Sequence, residues 1–150
     1  MKAEANHEYV HIDDDKWAPF PETLSAGGIR WQLLHVSPEA GTWTAIFRCP
    51  AGSSFHAHLH TGPGEYLLYQ GRMEVRGGAA HGGDTAIAPG YGFEPSGARH
   101  DETFFPEDSA FYMTFVGPIA FINPDGTVIA NVGWQEVQGA WEAHLNSPAD

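Results

Sequence analysis

The sequence predicts an all-β fold of jelly-roll type, a barrel or sandwich closed by one short C-terminal helix. Three observations carry that expectation. Short segments of alternating bulky and polar residues fill the middle of the chain. Glycine and proline interrupt them at regular spacing, as turns between antiparallel strands require. Helical spacing of apolar residues occurs once, near the C-terminus.

In order, Ile29–Ser37 alternates bulky residues and runs into the turn chemistry of "PEAGT". Trp43–Cys49 sets Trp43, Ala45 and Phe47 against Thr44, Ile46 and Arg48. After a histidine-rich stretch come "EYLLYQ" and "RMEVR", joined at Gly71, then the glycine-rich turn "GGAAHGGD" and a strand "TAIAP". "GYGFEPSGARH" reads as irregular. Ala110–Gly117 reads as a strong strand, and "FINPDGTVIANV" as a hairpin with Pro-Asp-Gly at its tip. Trp134, Val137, Trp141 and Leu145 lie at i, i+3, i+7 and i+11, which predicts a helix that Gly139 weakens. Eight to ten strands are expected, in a single domain over 1–150 with its core over about 29–132.

Seven basic against nineteen acidic residues give a formal net charge of −12. That charge repels phosphate backbones and anionic lipid, which argues against nucleic acid and membrane surfaces as partners. A lone cysteine, Cys49, makes no intrachain disulfide, and the polar N-terminus has no apolar signal core, so the expected compartment is the cytoplasm. No run approaches the length of a membrane span.

Nine histidines are present, and three of them alternate: His56, His58 and His60. On a strand, residues i and i+2 share a face with Cα atoms about 6.5–7 Å apart, close enough for two imidazoles to meet one ion. Residues i and i+4 lie about 13 Å apart, so at most two of the three are expected to share a metal unless the strand bends. An exposed polar strand face would show the same pattern.

The flanks narrow the choice. Gly52, five residues, then His58-Leu59-His60 resembles the first motif of the cupin superfamily, G-x5-H-x-H-x(3,4)-E-x6-G. The second motif, G-x5-P-x-G-x2-H, is present in altered form: Gly83 and Pro89 fit its first half, Gly97 and His100 its second, with "GYGFEPS" between them. The resemblance selects His58 and His60, leaves His56 aside, and implies a double-stranded β-helix barrel with a metal at its mouth. Glu65 fits the spacing from His60, but counting back from Gly71 lands on Gly64, which cannot ligate. A one-residue shift turns a side chain to the other face of a strand. The downstream register favours three histidines, His58, His60 and His100, without a carboxylate.

The strings "WTAIF", "CPAGSSF", "GPGEY", "GRMEVRGG" and "FYMTF" resemble the β-diketone-cleaving dioxygenases over nearly the whole chain, from about Tyr9 to Trp141. The resemblance implies a cytoplasmic homotetrameric cupin holding Fe(II) by His58, His60 and His100. It implies cleavage of an acetylacetone-like 1,3-diketone with O2 into a carboxylic acid and an α-ketoaldehyde. Three neutral imidazoles leave the full 2+ charge on the metal, which suits a substrate that binds as an enolate. Zinc outcompetes Fe(II) for such ligands and is an expected substitute.

By the same resemblance, Glu94 orients a ligand histidine, with His100 the expected one. Arg76 is expected to pair with Glu94, Thr103 to join that polar group, and Tyr66 to line the metal pocket. Phe111, Met113 and Phe115 share a strand face and, with Phe55, would form the apolar wall around a small diketone; plain core is the competing reading. His56 departs from the family pattern, and Asp101 and Glu102 add negative charge beside His100. His35, His81 and His144 receive no role. The competing functions are a zinc-binding sensor of anti-sigma type, a dioxygenase of hydroxylated aryl ketones, and a cupin isomerase or decarboxylase, which a fourth ligand from Glu65 would favour.

Overall fold

The computed structural model describes residues 8–148, so both ends of the expected 1–150 domain lie outside it. Fifteen strands form three sheets and one helix follows them. The first sheet has six strands in the order Ala18–Pro19, Arg30–Ser37, Thr42–Cys49, Ser109–Val116, Gly64–Gln70 and Gly90–Glu94. A four-stranded sheet orders Arg99–His100, His58–His60, Ile119–Ile122 and Val128–Val132. A five-stranded sheet orders Ser25–Ala26, Ser54–Phe55, Thr103–Phe104, Arg72–Val75 and Asp84–Ile87. Every pairing is antiparallel, and the result is the cupin jelly roll.

The strand count exceeds the expected eight to ten because several pairings are only two residues long. Alternation does what was expected on the long strands. Trp43, Ala45 and Phe47 are buried, as are Phe111, Met113 and Phe115 on the neighbouring strand, in a register that sets Phe47 opposite Phe111 and Trp43 opposite Phe115. Ile46 is also buried, although it points to the other face. There the N-terminal segment lies against the sheet: the Gln32 side chain, on the strand position opposite Ile46, donates from Nε2 to the Asp13 carbonyl at 2.7 Å.

"GYGFEPSGARH" is not irregular. It contains Gly90–Glu94, an edge strand paired with Gly64–Gln70, and Arg99–His100. The alternation is present but inverted in kind: glycine faces inward while Tyr91 and Phe93 face solvent. Gly92 has to be glycine, because a Cβ there would meet the Tyr66 ring at 2.0 Å. An apolar-inward pattern therefore could not reveal this strand.

The helix runs unbroken over Trp134–Leu145 and buries Val137 and Trp141. Gly139 faces open space, and the helix is held by packing, with Trp141 and Trp31 ring centroids 5.6 Å apart. Packing of the apolar stripe outweighs a glycine cost of about 1 kcal/mol. Among the described residues, no helix is long and apolar enough to cross a membrane.

Candidate metal centre

Strand register brings the histidines together. His58 and His60 stand at i and i+2 on one face of a three-residue strand. His100 lies directly across the ladder from His58, although 42 positions separate them in the chain. Backbone bonds continue the pairing past it: the His60 N–H donates to the Ala98 carbonyl at 2.8 Å, and the Gly97 N–H to the His60 carbonyl at 2.7 Å. Gly97, at φ +86°, closes the turn that returns the chain. All three imidazoles are buried, and each offers a ring nitrogen within 4.8 Å of the other two. Ring centroids form a near-equilateral triangle with sides of 5.1, 4.9 and 4.9 Å.

The cluster is prepared for a cation. Burial, followed by the neighbouring His100, lowers the His58 pKa to about 4. Burial, followed by His58 and then His100, lowers that of His60 to about 3, against a smaller upward pull from Glu94. Both rings are therefore neutral near pH 7, with lone pairs available. His58 Nδ1 sits 2.7 Å from the His56 carbonyl, which fixes the proton on Nδ1 and leaves Nε2 as the donor atom. His100 is anchored at one nitrogen: Nε2 lies 2.9 Å from Glu94 Oε2, which leaves Nδ1, with the Thr103 hydroxyl no nearer than 3.5 Å, as its available nitrogen. Three imidazole nitrogen donors fit a borderline divalent ion of the iron-to-zinc series better than Mg²⁺ or Ca²⁺, which take oxygen ligands.

Glu65 faces outward, where it accepts a hydrogen bond from the Tyr91 hydroxyl. Gly64 occupies the inward position, and a Cβ there would come within 2.5 Å of Met113 Cε and 3.2 Å of the Thr114 carbonyl. A glutamate could not be accommodated at that position without repacking. His56 serves the site through its backbone; its own ring is turned to the Thr23 carbonyl at 3.1 Å.

Beneath the triad is a cavity of about 50 Å³. A single water needs about 10–15 Å³ on this measure, so the space suits a compact ligand of a few heavy atoms. Phe55, Phe111, Met113 and Phe115 all line it, as do Tyr66, Glu94 and Thr103. Burial, then Glu94, then Asp84 raises the Tyr66 pKa to about 12, so its hydroxyl stays protonated.

Arg76 does not pair with Glu94. Its guanidinium binds Asp84 Oδ2 through Nη2 at 2.8 Å and reaches the Arg99 carbonyl through Nη1 at 3.5 Å. The cause is local: Arg76 has φ +51° just after the strand Arg72–Val75, whose end pairs with Asp84. That left-handed step brings the side chain alongside its strand neighbour. Asp101 and Glu102 are exposed, with Asp101 bonded to Arg99 Nε at 3.3 Å. His35 and His81 are exposed, and His144 stacks near Trp141, so none of these three joins the cluster.

The sequence reading missed Phe20, Trp43, Phe47, Met73, Ile119, Phe121 and Val132 as cavity residues. For Trp43 and Phe47 a signal existed, since they alternate on the same inward face that the neighbouring strand shares. Phe20 carried none; it comes from the N-terminal segment ahead of the regular strands.

A jelly roll with a buried HxH-plus-His cluster at an apolar cavity defines a cupin of the mononuclear metal-binding kind. The chain belongs to the ChrR cupin-like family, whose model matches residues 5–120. It is 62% identical over 148 residues to the acetylacetone-cleaving enzyme of Acinetobacter johnsonii, covering 99% of this chain and 97% of that one. The crystal structure of an acetylacetone dioxygenase from the same organism superposes with a TM-score of 0.89 at 64% identity, covering 91% and 92% of the two chains. That of a putative acetylacetone dioxygenase from Methylibium petroleiphilum PM1 superposes at 0.87 and 63% identity, over 94% and 98%.

Proposed function

We infer that this protein is a non-haem Fe(II)-dependent dioxygenase that cleaves a C–C bond of a small β-diketone with O2, giving a carboxylic acid and an α-ketoaldehyde. The observation that carries the reading is a buried triad of histidines, with no carboxylate within ligand distance of all three, above a small apolar cavity. Full-length similarity to acetylacetone-cleaving enzymes supports it.

His58, His60 and His100 would hold the ion. When bound, the metal supplies Lewis acidity toward the two oxygens of the substrate and a site for O2 chemistry. The protein does the rest. Three uncharged ligands leave the ionic charge uncompensated, which favours the enolate over the neutral diketone. Phe55, Phe111 and Phe115 exclude water, so the anion's attraction to the cation is not screened. Glu94 fixes the ring of His100 from Nε2, which leaves Nδ1 for the ion. Tyr66 presents a neutral hydroxyl at the wall.

Self-association is part of the same proposal. Tyr69, Tyr91, Phe93, Tyr112 and Val116 lie exposed on the outer face of the six-stranded sheet, beside Leu67. A patch of that kind is typical of a subunit interface. Sedimentation of the purified protein is expected to show a homo-oligomer, with a tetramer implied by the resemblance; a monomer at micromolar concentration contradicts it.

Metal-free protein reloaded with Fe(II), Mn(II), Ni(II) or Zn(II) is assayed by oxygen electrode with acetylacetone and with a hydroxylated aryl ketone. Oxygen uptake with Fe(II) and acetylacetone, absent with zinc, is expected. Uptake only with the aryl ketone would move the protein to a different substrate class.

A further inference from the structure

The metal cavity shares a wall with a second hollow. Under the C-terminal helix lies an apolar space of about 160 Å³, and Glu136 is the only charged residue among those that line it. Phe20, Trp43, Phe47 and Val132 border both spaces. An apolar cavity of about 150 Å³ accommodates benzene. The hollow is therefore of the size and polarity to take a phenyl ring or a short alkyl chain.

Of the three shared aromatic residues, Phe20 is the one least committed to the core. Trp43 is stacked on Phe115 with centroids 3.9 Å apart, and Phe47 on Phe111 at 4.8 Å. Phe20 is half-buried and stacks on nothing; it meets Phe55 edge-on at 5.1 Å and Phe121 at 6.2 Å. Phe121 in turn lies 5.5 Å from the His58 ring, so Phe20 stands one ring behind the triad. Its backbone is pinned. The Phe20 N–H donates to the Ile29 carbonyl at 2.9 Å, Ala18 pairs with Trp31, and the Arg48 guanidinium sits 4.3 Å over the Trp17 ring. A fixed backbone leaves the size of the side chain as the variable. Deleting the ring would join the two spaces and at least quadruple the room next to the metal.

We propose that Phe20 sets the upper size limit on the substituent of the diketone, by closing the metal cavity off from an apolar hollow under the C-terminal helix that accepts a group of phenyl size. This rests on the β-diketone reading and names the residue that governs specificity within it. A single methylene in an apolar pocket changes discrimination about 10–200-fold, so opening space for a whole ring should be plain to measure.

The test compares wild type, Phe20→Ala and Phe20→Ala/Ala140→Leu, all loaded with Fe(II). Ala140 lines the hollow from the helix, and leucine there refills it. Substrates are 2,4-pentanedione and 1-substituted 1,3-butanediones bearing n-butyl, n-hexyl or phenyl. Phe20→Ala is expected to raise kcat/KM for the bulky members relative to pentanedione by at least about 10-fold, chiefly through KM. The Ala140→Leu change is expected to remove most of that gain. Anaerobic equilibrium dialysis of the same ligands gives dissociation constants without turnover and should show the same ordering. A folded Phe20→Ala protein whose ratios stay within about twofold of wild type overturns the proposal, as does a gain that survives refilling the hollow. Where the alanine variant does not fold, Phe20→Leu gives the same test with a smaller expected gain. If no protein consumes O2 with any diketone, the dioxygenase reading fails, while dialysis still decides whether Phe20 limits ligand size.

Discussion

Removing the metal should leave a protein whose stability declines as the pH falls from 8 to 5, and His58 and His60 set the size of the decline. In the unfolded chain both imidazoles take up protons around the ordinary value of 6.5, whereas in the fold they do so only near pH 4 and pH 3. Between those limits the unfolded chain binds more protons, so folding stability is fully present above about pH 6.5 and drains away below it. At pH 5 the difference is about 1.5 pH units for each ring, or about 2 kcal/mol apiece, with about 4 kcal/mol as a ceiling for the two. That is a large part of a typical stability of about 5–15 kcal/mol. For a urea dependence near 2 kcal/mol per molar, the unfolding midpoint should drop by about 1–2 M. Tryptophan fluorescence of EDTA-treated protein in urea at pH 8, 6.5 and 5 measures it. The His58→Gln/His60→Gln variant provides the reference and should lose most of the slope. A midpoint that does not move between pH 8 and 5, or that moves as far in the double variant, refutes the assignment of these rings as neutral and buried.

Gly64→Ala places a Cβ against Met113 Cε and is expected to cost about 1–3 kcal/mol, seen as a lowered Tm of metal-loaded protein, with unchanged Tm contradicting the close contact. Glu94→Gln keeps the shape but removes the charge facing His100 Nε2; kcat should fall about 10–100-fold while the protein retains its fold by circular dichroism. Replacing Tyr91 and Phe93 together by glutamate puts charge on the exposed sheet face and should shift the sedimentation pattern toward monomer.

The long strands and the helix were legible because each buries one regular stripe. Trp43, Ala45 and Phe47, like Phe111, Met113 and Phe115, show the two-residue period that a half-buried strand imposes. The histidine cluster was legible because two of its members are local and the third belongs to a recognisable spacing, Gly97-x2-His100. What escaped depends on tertiary placement. Gly90–Glu94 hides its inward face behind glycines, of which Gly92 makes room for Tyr66. The expected partner of Arg76 was wrong because a single positive φ, invisible in composition, directs the guanidinium to Asp84. Phe20 reaches the cavity only because the segment before the first long strand folds back along it, a long-range contact with no periodic trace.

One residue of register decides whether a carboxylate faces the histidine cluster. The ladder that pairs Gly64 with Phe115 and Glu65 with Thr114 sends the glycine inward and the glutamate out to Tyr91. A slip of one position would bring the carboxylate inward and expose Tyr66 and Leu68, both now buried. At about 1.5–3 kcal/mol for burying each large apolar side chain, the core holds this register against the attraction of a carboxylate to a cation. Hydrophobic packing along this strand, Tyr66 at the cavity wall included, thus keeps a carboxylate from facing the histidine cluster. It follows that a carboxylate cannot be restored at residue 64 by substitution alone: Met113 must shrink with it. Gly64→Glu combined with Met113→Ala is expected to yield a folded protein that binds divalent metal more tightly and turns over diketone more slowly, since the added negative charge offsets the pull on the enolate. Tighter metal binding by chelator competition with undiminished kcat would show that ligand charge does not control the reaction.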